Sequence, residues 1–105
     1  MADFTIKQGS RLPSITQRLD APSIGSASAV AWHMREHGGT AVVTGSAVIE
    51  AVLSADAIRV RYDWGASDTS AVAKYDGEWW ATVGGLTMKV PNGRYVTVEI
   101  LDDAS

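Results

Sequence analysis

Ile58-Arg59-Val60-Arg61-Tyr62-Asp63-Trp64 alternates apolar and polar residues without a break. A period of two places Ile58, Val60, Tyr62 and Trp64 on one face and Arg59, Arg61 and Asp63 on the other, the pattern of a half-buried antiparallel strand. The same period recurs on both sides. Val30, Trp32 and Met34 alternate with Ala31, His33 and Arg35 before Glu36-His37-Gly38-Gly39 supplies a turn. Val96, Val98 and Ile100 alternate with Tyr95, Thr97 and Glu99, entered from a turn at Pro91-Asn92-Gly93. Tyr75 to Val83 sets Tyr75, Trp79, Ala81 and Val83 against Asp76, Glu78, Trp80 and Thr82, and Gly84-Gly85 turns the chain into Leu86 to Val90 as its hairpin partner. Two shorter strands, Asp3 to Lys7 and Ser14 to Leu19, flank Gln8-Gly9-Ser10.

Ala41 to Ser54 supports two periods. The pairs Val48/Val52 and Ile49/Leu53 fit helical spacing, while Gly45 and the many β-branched residues favour an extended chain, and the segment is read as strand. Seven or eight short strands separated by Gly, Pro, Asn and Ser turns about every ten residues are the pattern of an all-β sandwich or barrel. At 105 residues, 46% of them apolar, the chain makes one domain, residues 1–105, with a compact core. The breaker-rich Ala21-Pro22-Ser23-Ile24-Gly25-Ser26 would cut off a piece too small to fold and is read as a loop.

Composition narrows the function classes. Nine basic and twelve acidic residues leave a formal charge of −3, spread along the chain, which argues against nucleic acid or an anionic membrane as partner. The absence of cysteine excludes disulfides, thiolate nucleophiles and cysteine-based zinc sites. Met1-Ala2-Asp3-Phe4 has no basic and apolar leader, and no apolar run approaches the ~18 residues of a membrane span, so a soluble protein without a classical export signal is expected.

Candidate chemistry is sparse. His33 and His37 lie four apart, a metal-binding spacing on a helix, but one falls in a strand and the other in a turn, and both are read as surface histidines. Asp20, Asp56, Asp63, Asp68, Asp76 and Asp102-Asp103 sit mostly beside turn residues, where a carboxylate accepts backbone N–H groups. Gly38-Gly39-Thr40 and Gly84-Gly85 lack the helix and the Lys-Ser/Thr of a phosphate loop, and Gly25-Ser26-Ala27-Ser28-Ala29 lacks the second glycine of a nucleophile elbow. No catalytic, metal or cofactor residue is assigned, and no enzyme activity or cofactor is expected. Trp32, Trp64 and Trp79 fall on inner faces as core. Trp80 is forced outward by the position of Trp79, into a polar setting where an indole gains nothing from folding, and is therefore a candidate contact residue.

Taken in order, Phe4-Thr5-Ile6-Lys7-Gln8-Gly9, Leu12-Pro13, Trp32-His33-Met34-Arg35, Val60-x-Tyr62-Asp63-Trp64, Asp68-Thr69, Tyr75-Asp76-Gly77-Glu78-Trp79 and Pro91-Asn92-Gly93-x-Tyr95-x-Thr97-Val98-Glu99-Ile100 resemble the N-terminal domain of the phage baseplate upper proteins, the BppU family. The ordered match runs from residue 3 to about 101. The resemblance implies an immunoglobulin-like antiparallel β-sandwich, a non-enzymatic structural part of a tailed-phage virion that docks into a symmetric assembly. Its partners would be other virion proteins and further copies of itself, as a homo-oligomer in a virion assembled from chains made in the host cytoplasm. Family members of the baseplate type continue into a long region that holds receptor-binding proteins, and a chain ending at Ser105 is expected to lack that arm.

Two other readings suit the same features. A small sandwich can serve as a capsid decoration protein, and an outward Trp on a sheet can serve a carbohydrate-binding module, although sugar platforms need two or three coplanar rings and the strand pattern supplies Trp80 with Tyr95 at most. Two surfaces are candidates for assembly: the face carrying Trp80, and the N-terminal segment containing Phe4 and Ile6, which at a sheet edge can pair with a neighbouring chain by strand addition.

Overall fold

The computed structural model describes residues 3–91 and 95–102. It is all-β, with strands β1 (Phe4–Lys7), β2 (Ile15–Asp20), β3 (Ala29–Glu36), β4 (Val42–Ser54), β5 (Ala57–Tyr62), β6 (Ala73–Val83), β7 (Leu86–Val90) and β8 (Val96–Leu101). Strands account for 61% of the structure. The one helical element among the described residues is a 3-10 turn at Ile24–Ser26, and no helix there is long and apolar enough to cross a membrane. Each strand read from the period of two is present. The turn read at Pro91-Asn92-Gly93 lies largely outside the described residues.

The strands follow one path, β1-β8-β6-β3-β4-β5-β2, with β7 paired to the other end of β6 from β8, and the sheet curls until it nearly closes into a barrel. β6 is long enough to pair with β8 through residues 73–77 and with β7 through residues 79–83, while β3 lies along its other edge. β1 runs parallel to β8; the remaining pairs are antiparallel.

The ambiguous segment is β4. Its first part, Val42 to Ala47, pairs with β3, and its second part, from Val48 onward, pairs with β5 through two register shifts. A strand that changes partners must bend, and bulges increase the local twist that allows it. Of the residues that fit helical spacing, Val48, Val52 and Leu53 are exposed and Ile49 is half-buried.

The core is aromatic. Trp32, Tyr62, Trp64, Tyr75 and Trp79 are buried with Val96, Val98 and Ile100, as the alternation requires. Trp32 packs on Trp79 at 4.7 Å between ring centroids and on Tyr62 at 6.5 Å, and Tyr62 meets Trp64 edge-on at 5.4 Å. These rings pack β3 and β6 against β5 across the core. Three of their polar atoms are used: Trp79 Nε1 donates to Gln17 Oε1 on β2 (2.8 Å), Trp64 Nε1 to the Pro13 carbonyl (3.0 Å), and Tyr62 OH to Asp68 (2.5 Å), while Trp32 Nε1 is buried without a hydrogen-bond partner among the described residues. Burial of a Trp with its N–H satisfied avoids the cost of an orphaned donor.

Candidate functional site

β6 places Trp80 on the outer face because Trp79 points into the core, as the period of two demands. The setting differs from the expected one. Trp80 is half-buried, and its ring is stacked on that of His33 at 3.6 Å between centroids and 14° between planes. Lys89 Nζ stands 4.5 Å from the indole centroid. β3, which carries His33, and β7, which carries Lys89, flank β6 on opposite edges, so the two side chains approach the indole from opposite sides. Trp80 Nε1 donates to Glu78 Oε1 at 3.1 Å. The expectation that an outward indole gains nothing from folding is therefore corrected: cross-strand neighbours on β3 and β7 give it a stack and a cation over its ring. The pattern of β6 alone does not contain those neighbours.

Beside this stack is an open recess of about 250 Å³ lined by His33, Val42, Asp76, Glu78, Trp80 and Tyr95. Val42 and Tyr95 are exposed. Asp76 accepts from or is bridged to His37 Nδ1 at 3.1 Å. Burial pushes the His33 imidazole below its ordinary pKa and Lys89 adds to that, with Glu78 opposing. Trp80 thus presents a fixed indole edge within a mixed polar rim.

The second candidate surface is altered too. β1 ends the path and pairs with β8 alone among the described strands. Phe4 is half-buried against Trp64, 5.8 Å between centroids, and Ile6 is 4% exposed in the core. An Ile6 side chain turned inward cannot touch a partner, so what β1 offers outward is its backbone edge. Across from that edge, a groove of about 230 Å³ separates Asp3 and Phe4 from Ile15, Thr16 and Gln17 of β2.

The two histidines are not brought together on a common ligand: His33 is in the stack and His37 reaches Asp76. Among the described residues, no group of three or more His, Asp or Glu is placed to hold a metal ion. Of the carboxylates read as turn acceptors, Asp56 and Asp68 accept backbone N–H groups, whereas Asp20 pairs with Arg18, Asp63 with Arg61 and the Ser14 hydroxyl, and Asp76 lies within β6 beside His37. Asp68 accepts from the Gly65 N–H (2.7 Å), Asp56 from the Ser23 N–H (2.9 Å) and Asp63 from the Ser14 hydroxyl (2.6 Å).

No family model, curated protein or solved structure matches this chain.

Proposed function

We propose that the chain is a phage or prophage virion structural protein, a non-enzymatic assembly domain of the tail or baseplate built as an immunoglobulin-like β-sandwich. The observation that carries the reading is the strand order. The run β1-β8-β6-β3-β4 followed by β4-β5-β2 supports a comparison with an immunoglobulin-type sandwich, in which the third, sixth and seventh strands form one sheet and the second and fifth belong to the other. In this correspondence β4 is the strand that leaves one sheet for the other, and β7 with β8 is an interrupted last strand.

Three local features support the same reading. Trp32 is buried on the third strand, where immunoglobulin domains carry their core Trp. Tyr75, near the start of β6, donates its OH to the Ala71 carbonyl at 3.3 Å, the arrangement of a tyrosine corner. The Trp79–Gln17 hydrogen bond joins β6 to β2, the strands that a disulfide links in antibody domains. The residues that carry the resemblance to the baseplate family include Trp32, Tyr62, Trp64, Tyr75, Trp79, Val98 and Ile100, all of them core. A carbohydrate platform is less well served, since a sugar stacks on a ring face and both faces of Trp80 have protein neighbours.

The test is to purify particles from an induced lysogen or infected host and quantify this chain by mass spectrometry against the major capsid and tail-tube proteins. A copy number locked to the tail or baseplate symmetry is the expected result. A copy number tracking the capsid protein would transfer the chain to the head as a decoration protein, and its absence from washed particles would end the virion reading.

A further inference from the structure

Among the described residues, β2 pairs with β5 alone and β7 with β6 alone, and their other edges face each other across a groove of about 580 Å³. Its walls are Gln17 to Pro22 on one side and Met88 to Pro91 on the other. This groove, continued by the smaller one between β1 and β2, is the seam that keeps the barrel from closing.

The register tells which backbone groups line it. Ala21 N–H donates to the Asp56 carbonyl at 2.9 Å, continuing the pairing of β2 with β5. By the alternation of an antiparallel ladder, Ile15, Gln17 and Leu19 then bond to β5, and the N–H and C=O of Thr16, Arg18 and Asp20 point away from it, toward the seam. On the other wall, Gly84 (φ 59°) and Gly85 (φ 80°) form a two-residue turn closed by Val83 and Leu86. Such a turn makes Val83/Leu86 a hydrogen-bonded pair, which leaves the N–H and C=O of Thr87 and Lys89 pointing outward from β6. Among the described residues, no backbone hydrogen bond joins β2 to β7 or to β1. Unpaired edges of this kind are templates for another strand.

The side chains define what kind of strand. Toward the interior the groove is apolar, with Leu19 and Val90 buried and Met88 partly so. On its outer rim are Arg18, Asp20 and Lys89, and Arg59 lies directly opposite Arg18 on β5. Arg18 is bridged to Asp20 at 3.1 Å, so the positive charge of the rim is that of Lys89, with Arg59 behind it on β5, although the chain as a whole is negative.

We propose that the seam between β2 and β7 receives an extended segment of a neighbouring protein, about five to seven residues long, with apolar side chains alternating inward and carboxylates outward. Main-chain bonds to Arg18, Asp20, Thr87 and Lys89 would supply the register, the apolar floor would take every second side chain, and the cationic rim would select acidic residues between them. That the donor is an assembly neighbour rests on the virion reading; the slot itself rests on the two free edges. The smaller groove beside β1 extends the same seam, so the N-terminal edge forms part of one wall.

The probe is a capped seven-residue peptide alternating valine and glutamate, titrated to millimolar concentration into the full chain, with amide hydrogen exchange read residue by residue. Exchange at Arg18, Asp20, Thr87 and Lys89 should slow at least tenfold, and the same peptide with lysine for glutamate should bind at least tenfold more weakly. Arg18→Pro removes one outward N–H and should abolish the protection at the remaining positions while its amides on β3 and β6 stay as protected as in wild type. Should that variant unfold, exchange in the wild-type protein still decides the question. Protection elsewhere, or none, would overturn the slot. Protection of the same four amides that rises with protein concentration in the absence of peptide would overturn the foreign donor in favour of a second copy. Peptide binding at the seam combined with absence of the chain from purified particles would end the virion reading and leave the slot standing, whereas particle incorporation without peptide binding would do the reverse.

Discussion

Trp32 lies against the backbone of Gly77 on the neighbouring strand, in space that any side chain there would fill. A Cβ on Gly77 would collide with Cη2 of the indole and stand 2.5 Å from its Cζ2. The same device recurs on the other flank of β3, where the Tyr62 ring crosses Gly45 of β4 and a Cβ would lie 2.8 Å from Cε1. Two mid-strand glycines, each weak for a strand by propensity, thus make room for the two rings that stack across the core.

Gly77→Ala should therefore destabilise the protein by about 3 kcal/mol, the upper end of what overpacking costs, since the indole is buried on all sides and has nowhere to move. Gly45→Ala should cost less, about 1 to 2 kcal/mol, because its nearest approach, 2.8 Å to the Tyr62 ring, is looser than the collision at Gly77. Denaturant unfolding of both variants checks the order; equal and negligible losses would disprove the packing account.

Trp79→Ala should cost ~3 to 5 kcal/mol by opening a cavity beneath Trp32. It also leaves the Gln17 amide without its partner on β6. That loss approaches the stability of a domain this size, so the variant is expected to be largely unfolded at 37 °C in circular dichroism. A near-wild-type melting curve would show that the inner and outer faces of β6 have been exchanged.

Trp80→Ala should cost about 1 to 2 kcal/mol, from the lost stack on His33 and the lost cation contact with Lys89. Trp80→Phe should recover most of it. Thermal melting measures both. A loss below ~0.5 kcal/mol would mean that the His33–Trp80 stack contributes nothing, and that the indole is free for a partner.

Acidification should weaken the protein through His33. Its imidazole is held below the ordinary value of 6.5 by burial, against the opposing charge of Glu78 and with a smaller push from Lys89, so the folded state favours the neutral ring. A depressed value gives stability that is present above about pH 6.5 and is lost as pH falls through the folded value. Nuclear magnetic resonance titration should place His33 below His in the denatured chain, and His33→Gln should flatten the decline of stability between pH 7 and 5. An upward-shifted His33 would contradict the burial argument.

At the alkaline end the sign reverses. Burial, then the hydrogen bond and charge of Asp68, hold the Tyr62 phenol well above its ordinary 10.0. The folded state favours the protonated phenol, so its contribution is complete below about pH 10 and is lost as pH rises toward the folded value. Asp68→Asn should bring Tyr62 ionisation to lower pH in an ultraviolet titration, and an unchanged profile would show that the carboxylate plays no part.

The strands were legible from the sequence because alternation is local. Ile58 to Trp64 needs no knowledge of its neighbours to declare which residues face inward, and Trp32, Tyr62, Trp64 and Trp79 are buried where that alternation put them. The outward direction of Trp80 follows from the same rule. What surrounds Trp80 does not, because His33 is 47 positions away in sequence and reaches it only through the pairing of β3 with β6. Ala41 to Ser54 is ambiguous in sequence because apolar residues fall on both faces of β4: Val43 and Ile49 are half-buried, while Val42, Val48 and Val52 alternate with them on the exposed face. Ile6, read from the sequence as part of an edge contact, is instead buried in the core, and the edge beside it became one wall of a seam that depends on where β2 comes to rest. Local sequence set the period, the faces and the turns through steric and solvation preferences of adjacent residues. Tertiary structure alone decided which strands met, which glycines had to stay bare under a distant ring, and which edges were left unpaired, because each of these is a contact between residues that the chain brings together only on folding.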